Sequence, residues 1–149
     1  MLSNSHEVKE LRMSSNHIEK VNFPEVGYQP IIDFESWRVA VLKFCDDLIP
    51  ENIENMQKHM LTDEVFVLIN GSCNLYSAGT GEYPGRIEKI PMEKHKGYNV
   101  KKGVWHTHTL SKDAEVLIVE NQNTCDDNSP IFLLTDEMRK RIIGLESGK

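Results

Sequence analysis

The sequence predicts a mainly β protein, an antiparallel sandwich or barrel closed by one carboxy-terminal helix. Three observations predict it. Short runs of β-branched and aromatic residues recur, among them Trp37-Arg38-Val39-Ala40-Val41-Leu42-Lys43-Phe44 and Ala114-Glu115-Val116-Leu117-Ile118-Val119-Glu120. Turn chemistry separates the runs, above all Asn70-Gly71 and Lys101-Lys102-Gly103. A single helical pattern follows, opening at Thr135.

In chain order, residues 7–18 are expected as a short helix or an ordered arm within an amino-terminal segment 1–20. Phe23-Pro24 and Gln29-Pro30 punctuate the next stretch as extended or turning chain. Residues 31–34 are a short apolar strand, and the run from Trp37 is a strand ended by Asp46-Asp47. Residues 50–55 read as a polar loop. Residues 57–60 suit a short strand, in which alternation puts Gln57 and His59 on one face. Thr62-Asp63 is a turn, and residues 64–69 are a strand that Asn70-Gly71 would fold back as a hairpin onto residues 72–77.

Residues 80–85 form a loop and 87–91 a further strand. After the turn at Lys101-Lys102-Gly103, residues 104–110 are a strand carrying both His106 and His108. Residues 114–120 are an almost fully apolar strand, and 121–130 a long polar loop. The helix over 135–146 has Thr135 as its N-cap and Asp136 and Glu137 in its first turn. Met138, Ile142, Ile143 and Leu145 form its apolar face, Arg139, Lys140 and Arg141 favour its carboxyl end, and it is expected to cover a sheet edge.

The bulk numbers bound what such a fold does. With 149 residues, 39% hydrophobic and 27% charged, the chain has the composition of one globular domain with a real core. Its formal net charge of −6 argues against a nucleic-acid or anionic-membrane partner, because both need concentrated positive surface. Cys45, Cys73 and Cys125 are odd in number and irregular in spacing, which is neither a disulfide framework nor a zinc knuckle. Residues 1–20 lack the apolar run of a secretory leader, and no stretch approaches the roughly 20 apolar residues of a membrane span. A cytoplasmic location is expected.

The chemistry concentrates in two segments. His59 and Glu64 flank the Thr62-Asp63 turn, with Gly71 closing the strand behind them, and Gly103-Val104-Trp105-His106-Thr107-His108 follows much later. Two such half-sites separated by strands suggest a barrel with a polar pocket.

These residues make the chain resemble the cupin superfamily, small jelly-roll barrels recognised by two motifs. The first runs His-x-His, three or four residues, Glu, six residues, Gly. Here His59, four residues, Glu64, six residues and Gly71 match its second half, and Gln57 stands at the first histidine. The second runs Pro-x-Gly, two residues, His, three residues, Asn. Gly103 and His106 match it, while Lys101 and Leu110 replace the proline and the asparagine. The likeness spans residues 37–120, the expected barrel core, and implies a cupin-like double-stranded β-helix. Gly103 to His106 is also similar to the second-motif segment of ureidoglycolate lyases.

The resemblance implies Gln57, His59, Glu64 and His106 as metal ligands. Imidazole and carboxylate suit zinc, iron, manganese, nickel or copper, and two histidines with one carboxylate make a workable facial triad. Gln57 or His108 would complete the shell or orient substrate, with Tyr76, Tyr98 and Lys101 as further pocket residues. Three functions stay open. The first is a metal-dependent enzyme of isomerase, lyase or oxygenase type acting on a small polar, carboxylate or sugar-like substrate. The second is a metal-free cupin that binds a small carbohydrate or carboxylate as a sensor or regulatory module. The third is ureidoglycolate lyase-like activity. His59 and His106 could equally line a pocket without metal, or be satisfied histidines in a wet barrel interior. The expected partners are a small-molecule ligand and a second copy of the chain, since two-sided apolar strands suit a sheet covered on both faces.

Overall fold

The computed structural model describes residues 17–148. Of the helix or arm expected over 7–18, only residues 17 and 18 are described, and neither is helical. The strands are β1 (Gly27–Phe34), β2 (Trp37–Lys43), β3 (Asn55–Gln57), β4 (Glu64–Asn70), β5 (Cys73–Ser77), β6 (Glu88–Pro91), β7 (Gly97–Val100), β8 (His106–Leu110), β9 (Glu115–Asn121) and β10 (Ile131–Leu133). Helix α1 (Asp136–Glu146) is the last element of the described chain. The strands form two five-stranded antiparallel sheets, ordered β1-β2-β9-β4-β7 and β10-β3-β8-β5-β6.

The connection between the sheets differs from the expected hairpin at Asn70-Gly71. β4 pairs with β7 and β9, whereas β5 pairs with β6 and β8 in the other sheet. Gly71 (φ +70°) turns the chain against the neighbouring turn so closely that a Cβ there would lie 2.6 Å from the Ala114 Cα and N. Ser111 N donates to Ser72 O, and Asn70 Nδ2 to Asp113 O, locking the two turns together. Asn-Gly specifies a sharp bend; it says nothing about which strand the outgoing chain pairs with. β4–β5 and β8–β9 therefore run side by side as one bent two-strand ribbon crossing from sheet to sheet, which makes the molecule a jelly-roll barrel.

Strand alternation fills the interior. Phe66 and Leu68 on β4, Val116 and Ile118 on β9, Ala40 and Leu42 on β2, and Cys73 and Leu75 on β5 form one buried cluster. Each fully buried Leu, Ile or Phe contributes about 1.5–3 kcal/mol. The inward positions that continue these rows, Arg38, Glu64 and Glu120, are charged. The barrel thus has an apolar end and a polar end, and the cavity lies at the polar one.

Helix α1 begins where expected, with the Thr135 side chain accepting from Met138 N. It covers the outer face of the second sheet, not an edge. Ile142, Met138 and Leu145 pack with Met56, Tyr76, Trp105 and Phe132, and the Glu146 carboxylate accepts from Asn74, Tyr76 and Thr109. Ile143 points partly to solvent, and Arg139, Lys140 and Arg141 lie mid-helix, leaving no basic residue in the last turn. β10 has only three residues, too few for its alternation to mark it in sequence. No helix among the described residues is long and apolar enough to cross a membrane.

Candidate metal centre

The two half-sites meet through backbone bonds. His59 lies two residues past β3, where Lys58 N donates to Pro130 O and Met60 N to Asn128 O, both at 3.1 Å, so the extended chain continues beyond the strand. Gly103 N donates to His59 O (2.8 Å), and Lys102 N donates to the Asp63 carboxylate (2.8 Å). That bond, with another from Asn99, holds the Asp63 carboxyl below its usual range. The glycine turn of the second half-site is thereby tied to both sides of the first.

His59, Glu64 and His106 converge, all buried, with their ligating atoms within 4.8 Å of one another. His106 Nε2 is 3.1 Å from one Glu64 oxygen and His59 Nε2 3.3 Å from the other. The far ring nitrogens are also anchored. His106 Nδ1 lies 2.9 Å from the Val104 carbonyl and His59 Nδ1 2.7 Å from Ser129 Oγ. A carbonyl only accepts, so His106 Nδ1 carries a hydrogen; when the Ser129 hydroxyl proton turns to Asn128 Oδ1, 3.1 Å away, His59 Nδ1 donates to Ser129 and carries one too. Each Nε2 then faces the carboxylate with either a second proton or a bare lone pair. Two lone pairs and a carboxylate repel one another unless a cation lies among them, and this donor set fits a divalent metal.

These three residues line a cavity of about 340 Å³. Leu42, Phe66 and Ile118 supply apolar wall, and Gln57, His108 and Ser129 supply polar wall. Gln57 reaches the cavity, with its amide nitrogen 3.4 Å from Ser129 O. His108 also faces in. Burial pushes its imidazole down to about 4, which keeps it neutral at pH 7. The other three expected pocket residues lie elsewhere. Tyr76 points from the opposite face of β5 and donates to Glu146 beneath the helix (2.5 Å). Tyr98 packs on the apolar end, its hydroxyl accepting from Glu93 N (2.8 Å). Lys101 is exposed on its turn and does not line the cavity.

Further residues enter the site from strands the motifs do not include. Burial disfavours the charged form of Glu64, but hydrogen bonds with His106, His59 and Glu120 outweigh it and hold the carboxyl well below the usual range. Burial and the adjoining Glu64 push Glu120 up to about 8. Tyr28 donates to Glu120 Oε1, and Arg38 Nη1 stands 4.0 Å from the same oxygen while its Nε donates to Asp33. Burial, then the Glu120 carboxyl, raises the Tyr28 phenol. Arg38 and Glu120 carried a sequence signal: each is the lone charge on the inward phase of an otherwise apolar strand. Tyr28 and Ser129 carried none.

No family model matches the chain, and no curated protein does. Solved structures do. One is Pac13, described as a nucleoside dehydratase, at 10% identity and TM-score 0.55, covering 80% of this chain and 95% of that one. Another is a variant of Streptomyces PAC13 with uridine, also at 10% identity and TM-score 0.55, covering 80% and 94%. A cupin-2 domain protein from Shewanella frigidimarina matches at 15% identity and TM-score 0.47, covering 81% and 95%. At such identities a likeness speaks for the fold alone. The fold is a jelly-roll barrel, mainly β with one carboxy-terminal helix.

Proposed function

We propose that the cavity is the active site of a metal-dependent enzyme acting on a small polar, carboxylate or sugar-like substrate. His59, Glu64 and His106 would hold the ion, and Gln57 stands beside them. The observation that carries this reading is the aim of the two imidazoles: both Nδ1 atoms are anchored on the far side, and both Nε2 atoms point at one carboxylate. A divalent ion supplies Lewis acidity and can lower the pKa of a bound water. The chain's own residues then bind and orient: Glu64 carries the negative charge, Ser129 and Val104 set the rings, and the Leu42, Phe66 and Ile118 walls exclude water.

Elemental analysis by mass spectrometry of untagged protein, purified without chelator, tests it beside His59→Ala and His106→Ala. Near-stoichiometric metal in the parent, lost in both variants, is expected. A folded parent that takes up no zinc, iron, manganese or nickel overturns the reading.

One observation favours a metal-free binding protein instead: with protons on the Nε2 atoms, His59, Glu64 and His106 satisfy one another. In that case stabilisation by a small carboxylate or carbohydrate persists in EDTA. A homodimer belongs to either reading. The exposed Phe34–Trp37 pair supports it, and light scattering tests it.

A further inference from the structure

Arg38 is the one lysine or arginine among the described residues that line the cavity. It lies on the inward phase of β2, two residues before Ala40 of the apolar core, and its side chain is only 15% exposed. A charge placed so deep is costly unless it is paired or has a ligand to meet. Its pairing is incomplete. Nε donates to the Asp33 carboxylate (2.9 Å), which is itself partly exposed. Nη1 is 4.0 Å from Glu120 Oε1, beyond hydrogen-bond reach, and that oxygen already accepts from Tyr28. The Tyr28 hydroxyl oxygen, beside the guanidinium, has room for one N–H at most, which leaves at least three of the five donors. Those donors are not sealed in. Among the described residues, the one sealed side-chain nitrogen or oxygen without a hydrogen bond is Nδ1 of His108, so an Arg38 Nη that lacks a bond is open to solvent. Arg38 and Glu120 face each other across β2 and β9, and Glu120 adjoins Glu64. The guanidinium therefore stands one side chain away from the converging His59, Glu64 and His106 donors, on the same cavity.

We propose that Arg38 anchors a carboxylate at one end of the substrate while the other end meets the His59–Glu64–His106 centre, so that the substrate is a short-chain acid with a second polar group. The inference rests on the metal-centre reading above and names its substrate class. Asp33 holds the Nε side of the guanidinium and leaves the edge formed by Nη1 and Nη2. Its two parallel N–H groups match the two oxygens of a carboxylate. One guanidinium, with no second lysine or arginine on the cavity, balances a single negative charge and falls short of a phosphate dianion. The Leu42, Phe66 and Ile118 walls suit the carbons between the two ends, and a cavity of about 340 Å³ holds only a short chain.

The test uses hydroxamates, whose hydroxamate end chelates zinc and leaves the other end to report on Arg38. Succinic and glutaric monohydroxamates are compared with butyrohydroxamate and valerohydroxamate, the same chains with a methyl in place of the carboxylate. Calorimetric titration of zinc-loaded parent should show at least one of the two acids binding about tenfold tighter than its methyl counterpart, or more. In zinc-loaded Arg38→Gln that ratio should fall to about one; a general loosening of the cavity would weaken both members of the pair and leave the ratio in place. Nitrogen-15 spectra of the parent, which do not depend on the variant folding, should show the preferred acid, and not its methyl counterpart, shifting the Arg38 guanidinium resonances. No preference for either acid in the parent, a preference that survives the substitution, or unmoved Arg38 resonances would each overturn the proposal. A protein that takes up no zinc overturns the metal-centre reading instead. In that protein succinate should still shift the Arg38 resonances, and its failure to do so would overturn the proposal as well.

Discussion

Ser129 Oγ lies 2.7 Å from His59 Nδ1 and is almost wholly buried, so a loop residue seventy positions away sets the orientation of this imidazole. Removing the hydroxyl frees the ring to rotate and to change tautomer. Ser129→Ala should weaken zinc binding about tenfold or more, while Ser129→Thr retains most of it. Competition titration against a chelator of known affinity measures both, and equal affinities in parent and Ser129→Ala would show that the contact does not tune the site.

Gln57 occupies the strand position opposite His106, and its side chain reaches the cavity. An amide is a poorer ligand than imidazole for the metals this donor set suits. Gln57→His should therefore tighten zinc binding by about an order of magnitude. The same titration reads it; unchanged affinity would mean that position 57 lies out of reach of the ion.

Gly71 leaves no room for a side chain. Its positive φ and its contact with the Ala114 backbone act together, so Gly71→Ala should destabilise the fold by at least about 2 kcal/mol. Denaturant unfolding measures this. A loss below about 0.5 kcal/mol would mean that the corner between the sheets can shift to accept a Cβ.

Glu146 fastens α1 to the sheet. Burial disfavours its charge, but bonds from Thr109, Tyr76 and Asn74 prevail and hold its pKa below the usual 4.5. A carboxylate depressed in the folded state stabilises fully above its unfolded pKa, and that share is lost as pH falls through the folded value. Parent and Glu146→Gln should thus differ by about 1 kcal/mol near neutral pH, the partly exposed site screening the rest, and converge in acid below about pH 4.5. Urea unfolding across that range checks it, and a gap that widens in acid would contradict it.

The ease with which each part could be read tracked how local its cause is. β4 and β9 were legible because each is a near-continuous apolar, β-branched run bounded by turn residues, and β8 because it follows the glycine turn at Gly103, all signals that lie within one sequence window. So was the N-cap at Thr135, a contact three residues long. His59, Glu64 and His106 were legible from motif spacing. The corner at Gly71 was not, because a tight turn is local while the choice of sheet depends on β8 and β9, some forty residues on. Tyr76 and Tyr98 were misplaced for the same reason: alternation says that neighbours face opposite ways, and only the closed barrel says which way is in. Tyr28, Arg38 and Glu120 meet because β2 pairs with both β1 and β9, a relation that no single stretch encodes.

β9 lies at the middle of its sheet, between β2 and β4, yet it is made after both. During synthesis β2 and β4 therefore emerge with their inner edges open, and they stay open until residues 115–121 leave the ribosome. Unpaired apolar edges recruit other strands. The nascent chain, more than the finished barrel, is where this protein is exposed to misassembly, and it is where chaperone dependence or inclusion-body formation would arise.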